Sequence, residues 1–319
     1  MFTHPAVSAL WHDFSRADLF LVVYCIVDEW MVKQYGGSNR PRLRRGPRPD
    51  EFADSEVLTI LLVGELCQVQ RERAWLRQVR ASYGHLFPKL PEDSRFSRRA
   101  QRLREHLRYF RRTLLCWAGE DVQPIRILDS FPLPLCACYR IRQSTQPISG
   151  SSFGYNSSKQ LYFFGLHPGL LMTENGYIDD LFLAPGYIAD VPLLTAYLDE
   201  CIDAGRDLSD QEWITDKGFV SKPLRQLAEK LLGLRLLVRQ RDRKGKQTPF
   251  FQHLLDMVRK PIEGVISVFV ECFGIENMRV RTDIGIYRRT QAKATAYSLG
   301  RYFNQALGIK LSDVARYAV

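Results

Sequence analysis

The chain of 319 residues lacks any apolar run long enough to cross a membrane. Its longest apolar stretch near the N-terminus, residues 19–27, has nine residues between Asp18 and Asp28. A membrane-spanning helix needs about 20 apolar residues. The first residues also lack the charged region that leads into the apolar part of an export signal. We therefore expect a cytoplasmic protein without a membrane partner.

Paired cysteines are lacking as well. The seven cysteines are odd in number and scattered along the chain, without a C-x-x-C pair. This pattern argues against a disulfide framework and against a zinc ribbon. Only Cys136 and Cys138 lie close together, and their alternation with apolar residues favours packing in a strand or loop over a metal site.

Acidic residues are outnumbered by basic ones. The chain has 45 Lys and Arg against 35 Asp and Glu, a formal charge of +10, which favours a polyanionic partner such as nucleic acid. The net charge is +6 over residues 1–120, −8 over 121–216 and +12 over 217–319. An acidic middle between basic flanks is typical of a metal-dependent enzyme that acts on a polyanion, because carboxylates bind the cation and the flanks hold the backbone.

The first third of the chain is predicted to be helical. Apolar residues recur at helical intervals over residues 18–33, which Gly36 and Gly37 end, and from a cap at Asp54 or Ser55 to residue 66. A third helix is predicted over residues 94–117. Residues 40–48 contain five arginines and two prolines. This segment cannot be a helix interior, so we expect an exposed arm.

The pattern changes near residue 122. Short β-like runs cover residues 125–129, 161–167, 177–183, 212–216 and 234–238. Helices are predicted over residues 191–204 and 221–232, and a last one is predicted to begin at Pro261 and reach about residue 273. The order β-β-β-α-β-α-β-α predicts an α/β fold with a mixed five-stranded sheet flanked by helices. We expect a helical DNA-binding domain at 1–120 and a catalytic domain at 121–319.

Three carboxylates stand where the chemistry of such a domain is expected. Asp129 and Asp216 each end a predicted strand, and Glu263 lies in the first turn of the last predicted helix. Strand-end side chains face the crevice where α/β sheets bind ligands. Together the three could hold a pair of Mg²⁺ ions, which prefer oxygen ligands. Each carboxylate alone also has a structural explanation, because Asp is common in turns and Glu favours the first turn of a helix.

These motifs resemble a known family. Leu128-Asp129-Ser130, Thr215-Asp216-Lys217-Gly218-Phe219 and Arg259-x-x-x-Glu263 resemble, in that order, the motifs of bacterial insertion-sequence transposases with an RNase H-like DDE domain. Residues 273–281 and 292–304 are similar to the family as well, and the similarity is strongest to the insertion-sequence group nine-eighty-two. The resemblance covers residues 123–308 well and the first 120 weakly.

The resemblance implies roles for single residues. Asp129, Asp216 and Glu263 correspond to the catalytic, metal-binding triad, which holds two Mg²⁺ ions and accepts Mn²⁺ as a substitute. Arg259 matches an arginine that the family uses on DNA near the cut. The chain departs from related families at residues 256 and 270, where they often carry Tyr and Lys and this chain has Asp and Val.

The third carboxylate has two alternatives. Glu271 and Glu276 lie further along the same segment. The spacing from Arg259 and the proline at the predicted helix start favour Glu263.

Basic residues near the predicted site are candidates for phosphate contacts. Lys217 follows Asp216 directly, and Arg241 and Arg243 lie in a basic cluster after the last predicted strand. For any single member of the cluster, a solvated hairpin is the favoured interpretation. His167 could lie near the metals, but a core histidine bonded to a backbone group is the favoured interpretation.

A second basic region lies in the N-terminal third. Eight arginines fall within residues 95–112 around an apolar stripe of Phe96, Leu103, Leu107 and Phe110. Most of these arginines are therefore expected to face outward, toward the major groove of DNA or its flanking phosphates. The candidate DNA-binding residues are Arg98, Arg99 and Arg102 in this helix and Arg42, Arg44 and Arg45 in the arm, which would act in a minor groove or on the backbone.

The resemblance implies that the chain is a transposase. Such a protein would bind double-stranded DNA at the terminal inverted repeats and at the target, hydrolyse a phosphodiester at the transposon end with bound metal, and join the freed 3′-hydroxyl to target DNA. The resemblance implies at least a homodimer in the active complex, in the nucleoid of a bacterial cytoplasm. The alternatives are a metal-dependent DNA endonuclease without strand transfer and a non-catalytic DNA-binding relative.

Overall fold

The computed structural model describes residues 3–10, 14–36, 52–136, 150–156, 160–238, 249–278, 280 and 282–318. Contacts divide the chain into two compact units. The helical unit comprises Met1–Gly119, Cys272–Val280 and Ile284–Val319, and the sheet unit comprises Glu120–Glu271 and Arg281–Asp283. Within the described ranges, no helix has the length and apolar character that crossing a membrane requires.

The described helices and strands follow one another in a helical, a mixed and again a helical region. The helices are α1 (Arg16–Tyr35), α2 (Asp54–Leu66), α3 (Glu72–Tyr83), α4 (Asp93–Arg102), α5 (Arg104–Ala118), α6 (Asp190–Asp203), α7 (Lys222–Leu232), α8 (Pro249–Glu271) and α9 (Asp283–Ala306). The strands are β1 (Ile125–Ser130), β2 (Leu133–Cys136), β3 (Ser152–Asn156), β4 (Leu161–Thr173), β5 (Ile178–Pro185), β6 (Glu212–Thr215) and β7 (Arg235–Val238).

The predicted N-terminal helices are present, with two differences. The cap of α2 is Ala53, whose amide donates to Glu56, while Ser55 donates to Asp28 at 2.7 Å instead of capping the helix. The third predicted helix is divided at Leu103 into α4 and α5. Its apolar stripe, residues 96, 103, 107 and 110, is fully buried as predicted.

Helix α9 runs through the interior of the helical unit. Nearly every residue from Ile286 to Asn304 is buried, including polar ones. The polar groups are paired with earlier helices: Lys293 with Glu65 at 2.7 Å, and Thr295 with the carbonyl of Leu107 at 2.9 Å. Residues 284–319 therefore pack with residues 1–119, whereas the sequence assigned them to the catalytic domain. A helix buried on every side lacks the apolar stripe by which its packing partner could be predicted.

The sheet unit contains a mixed seven-stranded sheet flanked by helices, which confirms the predicted α/β class. Five of its strands run in the order β5-β4-β1-β6-β7. β4 is antiparallel to β1 and β5, and β1, β6 and β7 are mutually parallel. β2 and β3 pair with the first half of β4 and were not predicted. All five predicted strands are present, and β4 continues through Pro168 to Thr173.

Helices α6 and α7 cover one face of this sheet. Their apolar residues pack with Leu128, Leu171, Trp213 and Leu236 of four neighbouring strands in one buried cluster. The buried aromatic rings of Phe182 and Tyr197 stack within it, 3.9 Å apart. This cluster makes α6 and α7 a rigid support for the strand ends.

The predicted start of the last sheet-unit helix is wrong. α8 begins at Pro249, and Pro261 lies inside it. Proline is favoured in the first turn of a helix, but here Pro249 is the proline in that position. Glu263 is therefore in the second half of a long helix, and the argument from a proline at its start no longer supports it.

Candidate active site at the ends of two parallel strands

The two predicted catalytic aspartates lie side by side on neighbouring strands. β1 and β6 pair in parallel, with Leu128 opposite Thr215 as the last pair of the register. Asp129 and Asp216 are the next residues along each strand. Both are partly exposed. The parallel register thus brings together two carboxylates that are 87 positions apart in the sequence.

Strand alternation directs these two side chains to a common face. Successive side chains of a strand point to opposite faces. Leu128 belongs to the cluster under α6 and α7, so Asp129 points to the opposite face. Asp216 keeps an extended backbone, with φ −75° and ψ 169°, and alternates with Thr215 in the same way. Both carboxylates therefore point away from α6 and α7.

Local backbone groups hold each aspartate. The Oδ1 atom of Asp129 accepts a hydrogen bond from the amide of Ser130 at 2.8 Å. Asp216 is the cap of a short 3-10 helix, Lys217–Phe219, and its carbonyl accepts from the amide of Phe219 at 3.0 Å. Lys217, a predicted phosphate contact, is exposed directly beside this turn.

The third carboxylate of the predicted triad, Glu263, is not on a strand that pairs with β1 or β6. Glu263 is exposed on α8, one turn after Arg259, and α8 contacts β1. Among the described residues, no group of three or more His, Cys, Asp or Glu side chains is arranged to hold a metal ion. The structure therefore brings Asp129 and Asp216 together, and relates Glu263 to them only through the contact between its helix and β1.

The two alternative glutamates have different surroundings. Glu271 lies at the end of α8 and accepts a hydrogen bond from Ser267 at 2.9 Å. Glu276 lies in a 3-10 helix, Ile275–Asn277, that belongs to the helical unit. Of the three glutamates, Glu263 is the one in the sheet unit that shares a helical turn with Arg259.

A further carboxylate, which sequence reasoning missed, lies behind the two aspartates. Asp190, at the start of α6, accepts a hydrogen bond from the Ser130 hydroxyl at 2.5 Å through Oδ1. Its Oδ2 faces Gly218, where an added Cβ would come within 2.0 Å of it. Asp190 thus touches the residues that follow both aspartates. Its position at a helix start has an ordinary explanation, which is why the sequence did not single it out.

His167 adjoins the same carboxylate. Its Nδ1 lies 2.6 Å from the carbonyl of Ile188, and its Nε2 lies 3.6 Å from Oδ1 of Asp190. A carbonyl accepts only, so Nδ1 carries the proton that makes this bond. The expected backbone partner of His167 is therefore present.

Some acidic residues of the middle third of the sequence form ion pairs and hydrogen bonds inside the sheet unit. Arg126 bonds Asp179 at 2.8 Å, and both side chains are buried. Asp180, also buried, accepts from the hydroxyl of Tyr197 at 2.9 Å, and Arg206 donates to that hydroxyl at 2.7 Å. Burial, with the nearby Asp180 charge, raises the pKa of Tyr197 well above its ordinary value. These two aspartates stabilise the sheet unit and do not add to the acidic character of the site.

The candidate DNA-binding arginines of α4 differ in exposure. Arg98 and Arg102 are exposed. Arg99 instead donates to Asp54 at 2.5 Å and to the carbonyl of Phe52 at 2.7 Å, which makes it part of the packing between α4 and the start of α2. Five further candidates lie outside the described residues: Arg42, Arg44, Arg45, Arg241 and Arg243.

Comparison of the chain with protein-family models, with curated proteins and with solved structures gives no match. The functional assignment accordingly depends on the residues and the geometry described above.

Proposed function

We propose that this chain is a DDE transposase that cuts and joins DNA at the ends of an insertion sequence. The observation that carries the proposal is the parallel register of β1 and β6, which sets Asp129 beside Asp216 on one face. Two carboxylates at adjacent parallel strand ends, open to solvent, form a suitable base for binding divalent cations.

The strand arrangement supports the RNase H-like part of this proposal. Three antiparallel strands, β1, β4 and β5, are followed by two parallel ones, and a helix precedes each of the latter. This arrangement of five strands is compatible with the mixed five-stranded sheet that the family resemblance implies. The short β2 and β3 are additions at one end of β4.

The donor set fits magnesium. Carboxylate oxygens are the hard ligands that Mg²⁺ prefers. Asp129 and Asp216 would hold the cations with Glu263 completing the set from α8, and Mn²⁺ would substitute. When bound, the ions lower the pKa of a water or 3′-hydroxyl nucleophile and stabilise the charge on the leaving oxygen.

The remaining residues position the DNA. Lys217, exposed next to Asp216, would contact a phosphate beside the cut, and Arg259 shares a turn with Glu263. On α4, Arg98 and Arg102 present positive charge that suits the phosphate backbone of transposon ends and target. The contacts of Lys217 and Arg259 would orient the scissile bond, on which the carboxylates act. Two ends have to be joined in one reaction, so we propose a homodimer in the active complex.

Nicking of DNA by the full chain tests the proposal. The substrate is a supercoiled plasmid that carries the coding region with its native flanking DNA, incubated with Mg²⁺. We expect nicks at inverted repeats in the flanks. Asp129→Asn and Asp216→Asn should each lower the rate at least about a thousandfold, the scale seen when one member of a catalytic set is lost. Duplex binding should remain.

The control is Asp199→Asn, because Asp199 is an exposed carboxylate on α6 far along the helix from the strand ends. It should nick at the wild-type rate. Cleavage that survives in either Asn variant of the pair contradicts the proposal. Product joined to target DNA from a 3′-hydroxyl donor separates a transposase from a nuclease, which would leave hydrolysed ends only.

A further inference from the structure

A carboxylate on the far face of the sheet contacts both strand ends of the candidate active site. Pairing between β1 and β6 stops at Leu128 and Thr215. Asp216 is therefore one residue beyond the last pair of the register that sets it beside Asp129. A contact beyond this last pair can hold the two segments at a fixed spacing.

Asp190 makes that contact. Ser130 points to the face of α6 because it alternates with Asp129, and its hydroxyl donates to Oδ1 of Asp190 at 2.5 Å. The backbone amide of Ser130 donates to Oδ1 of Asp129 at 2.8 Å. Ser130 thus connects Asp190 on one face to the carboxylate of Asp129 on the other.

The second half of the contact reaches the other strand. Oδ2 of Asp190 packs so closely on Gly218 that a Cβ there would lie 2.0 Å away. Gly218 belongs to the single 3-10 turn that Asp216 caps. Only a residue without a side chain allows the carboxylate to approach this turn so closely. The buried apolar cluster of α6 fixes the helix that carries Asp190.

We infer that Asp190 is a positioning residue, which joins the segments after β1 and β6 through Ser130 and Gly218 and so holds Asp129 and Asp216 at the separation that a divalent cation needs. The inference concerns the site of the proposed function and rests on it. Asp190 lies on the face opposite to both carboxylates, so its role is to hold them and not to bind the cation itself.

The positioning role of Asp190 is tested by measuring Mn²⁺ binding to the full chain, with the free ion detected by electron paramagnetic resonance. Asp190→Ala and Ser130→Ala should each weaken Mn²⁺ binding about tenfold, the effect expected for loss of one hydrogen bond to a charged group. In Asp190→Asn the amide oxygen still accepts from Ser130, so its affinity should stay within about threefold of wild type. Thr195→Ala, which removes a hydroxyl of α6 bonded to the Val191 carbonyl, is the matched control and should bind normally.

A double-mutant cycle tests the Gly218 contact. Gly218→Ala forces the Asp190 carboxylate to move and should weaken Mn²⁺ binding as much as Asp190→Ala does. Because both changes break one contact, the double variant should bind no more weakly than either single variant. Additive losses would show that Gly218 acts independently of Asp190, which overturns its part in the inference.

Further outcomes of the Mn²⁺ and nicking experiments would change the interpretation of Asp190 or of the proposed function. Wild-type affinity in both Ser130→Ala and Asp190→Ala overturns the inference, and so does a wild-type chain that binds no Mn²⁺. If Asp190→Asn loses binding as completely as Asp129→Asn, then Asp190 is a ligand and not a positioning residue. If the wild type binds Mn²⁺ but never nicks DNA, the proposed function fails, while the Mn²⁺ affinities still decide the role of Asp190.

Discussion

The guanidinium of Arg111 donates to the side-chain oxygen of Gln291 at 2.6 Å inside the helical unit, across 180 positions of sequence. Arg111 belongs to the arginine-rich stretch 95–112, from which the sequence predicted a DNA-binding surface. It is fully buried, and Arg99 of the same stretch is bonded to Asp54. The arginines of this stretch therefore divide into a structural group and an exposed group, and the two respond differently to substitution.

Neutralising the exposed group should change the salt dependence of DNA binding. Arg95, Arg98 and Arg102 are exposed on α4. If all three contact phosphate, changing them to Gln should lower the slope of log affinity against log salt by about 3, since each phosphate contact contributes about 0.9. The measurement is fluorescence anisotropy with a labelled duplex of the flanking DNA over a range of salt concentrations.

Arg111→Met is the control for that experiment. It removes a charge from the same stretch but at a buried position, so it should lower the stability of the helical unit and leave the salt slope unchanged. An unchanged slope in the triple variant would show that α4 does not lie on the DNA.

The identity of the third carboxylate can be tested on α8. Glu263→Gln should lower Mg²⁺-dependent nicking at least about a hundredfold, because loss of a residue that only supports a metal ligand already costs about 10–100-fold. Glu263 lies one turn after Arg259 on α8, which contacts β1. Glu271→Gln should leave the rate within about twofold, since Glu271 is bonded to Ser267 at the end of the helix. Nicking rates at saturating Mg²⁺ measure both, and the reverse order of effects would transfer the role to Glu271.

The buried ion pair of the helical unit should contribute strongly to stability. Lys293 is fully buried and bonds Glu65 at 2.7 Å; burial lowers the pKa of its ammonium, and the Glu65 charge opposes that shift. Lys293→Met leaves Glu65 buried without this partner and should cost about 3 kcal/mol of unfolding free energy. Urea denaturation followed by circular dichroism measures the loss.

A surface pair in the same unit supplies the comparison. Lys33 is bonded to Glu29 one turn earlier in α1 and is largely exposed. Lys33→Met should cost no more than about 0.5 kcal/mol, as exposed helix pairs do. Equal losses in the two variants would contradict the structural role of Lys293.

His106 should make the helical unit sensitive to acid. Burial lowers the pKa of His106 from its ordinary value of 6.5, against the opposing charges of Asp54 and Glu105. Below pH 6.5 the unfolded chain therefore binds a proton more readily than the folded one, and the unfolding free energy falls as the pH drops toward the folded pKa of His106.

His106→Gln should remove this contribution. The decline of the unfolding free energy between pH 7.5 and 5, measured by urea denaturation, should then be flatter than in the wild type. His85→Gln, at an exposed position of the same unit, is the matched control, and a decline that is just as steep in His106→Gln would exclude His106 as its source.

Much of the fold follows from local patterns. Short β-like runs predicted β1, β5, β6 and β7, and helical spacing predicted α1, α2, α6 and α7, because both patterns are visible within one stretch of sequence. β2 and β3 were missed since they are short and pair only with an extended β4. Pro261 misled the prediction of α8 because proline is a helix-start signal only by preference, and Pro249 holds that position here.

The sequence by itself determined which residue types stand at the ends of β1 and β6, since a strand followed by Asp is visible locally. The tertiary structure alone decided that these strands are parallel neighbours, that Asp190 contacts both of their ends, and that α9 completes the N-terminal helices. The physical reason is that these relationships depend on contacts between residues tens to hundreds of positions apart. Local spacing along the sequence does not encode such contacts. They are set by the pairing of distant strands and by the burial of polar side chains against specific partners.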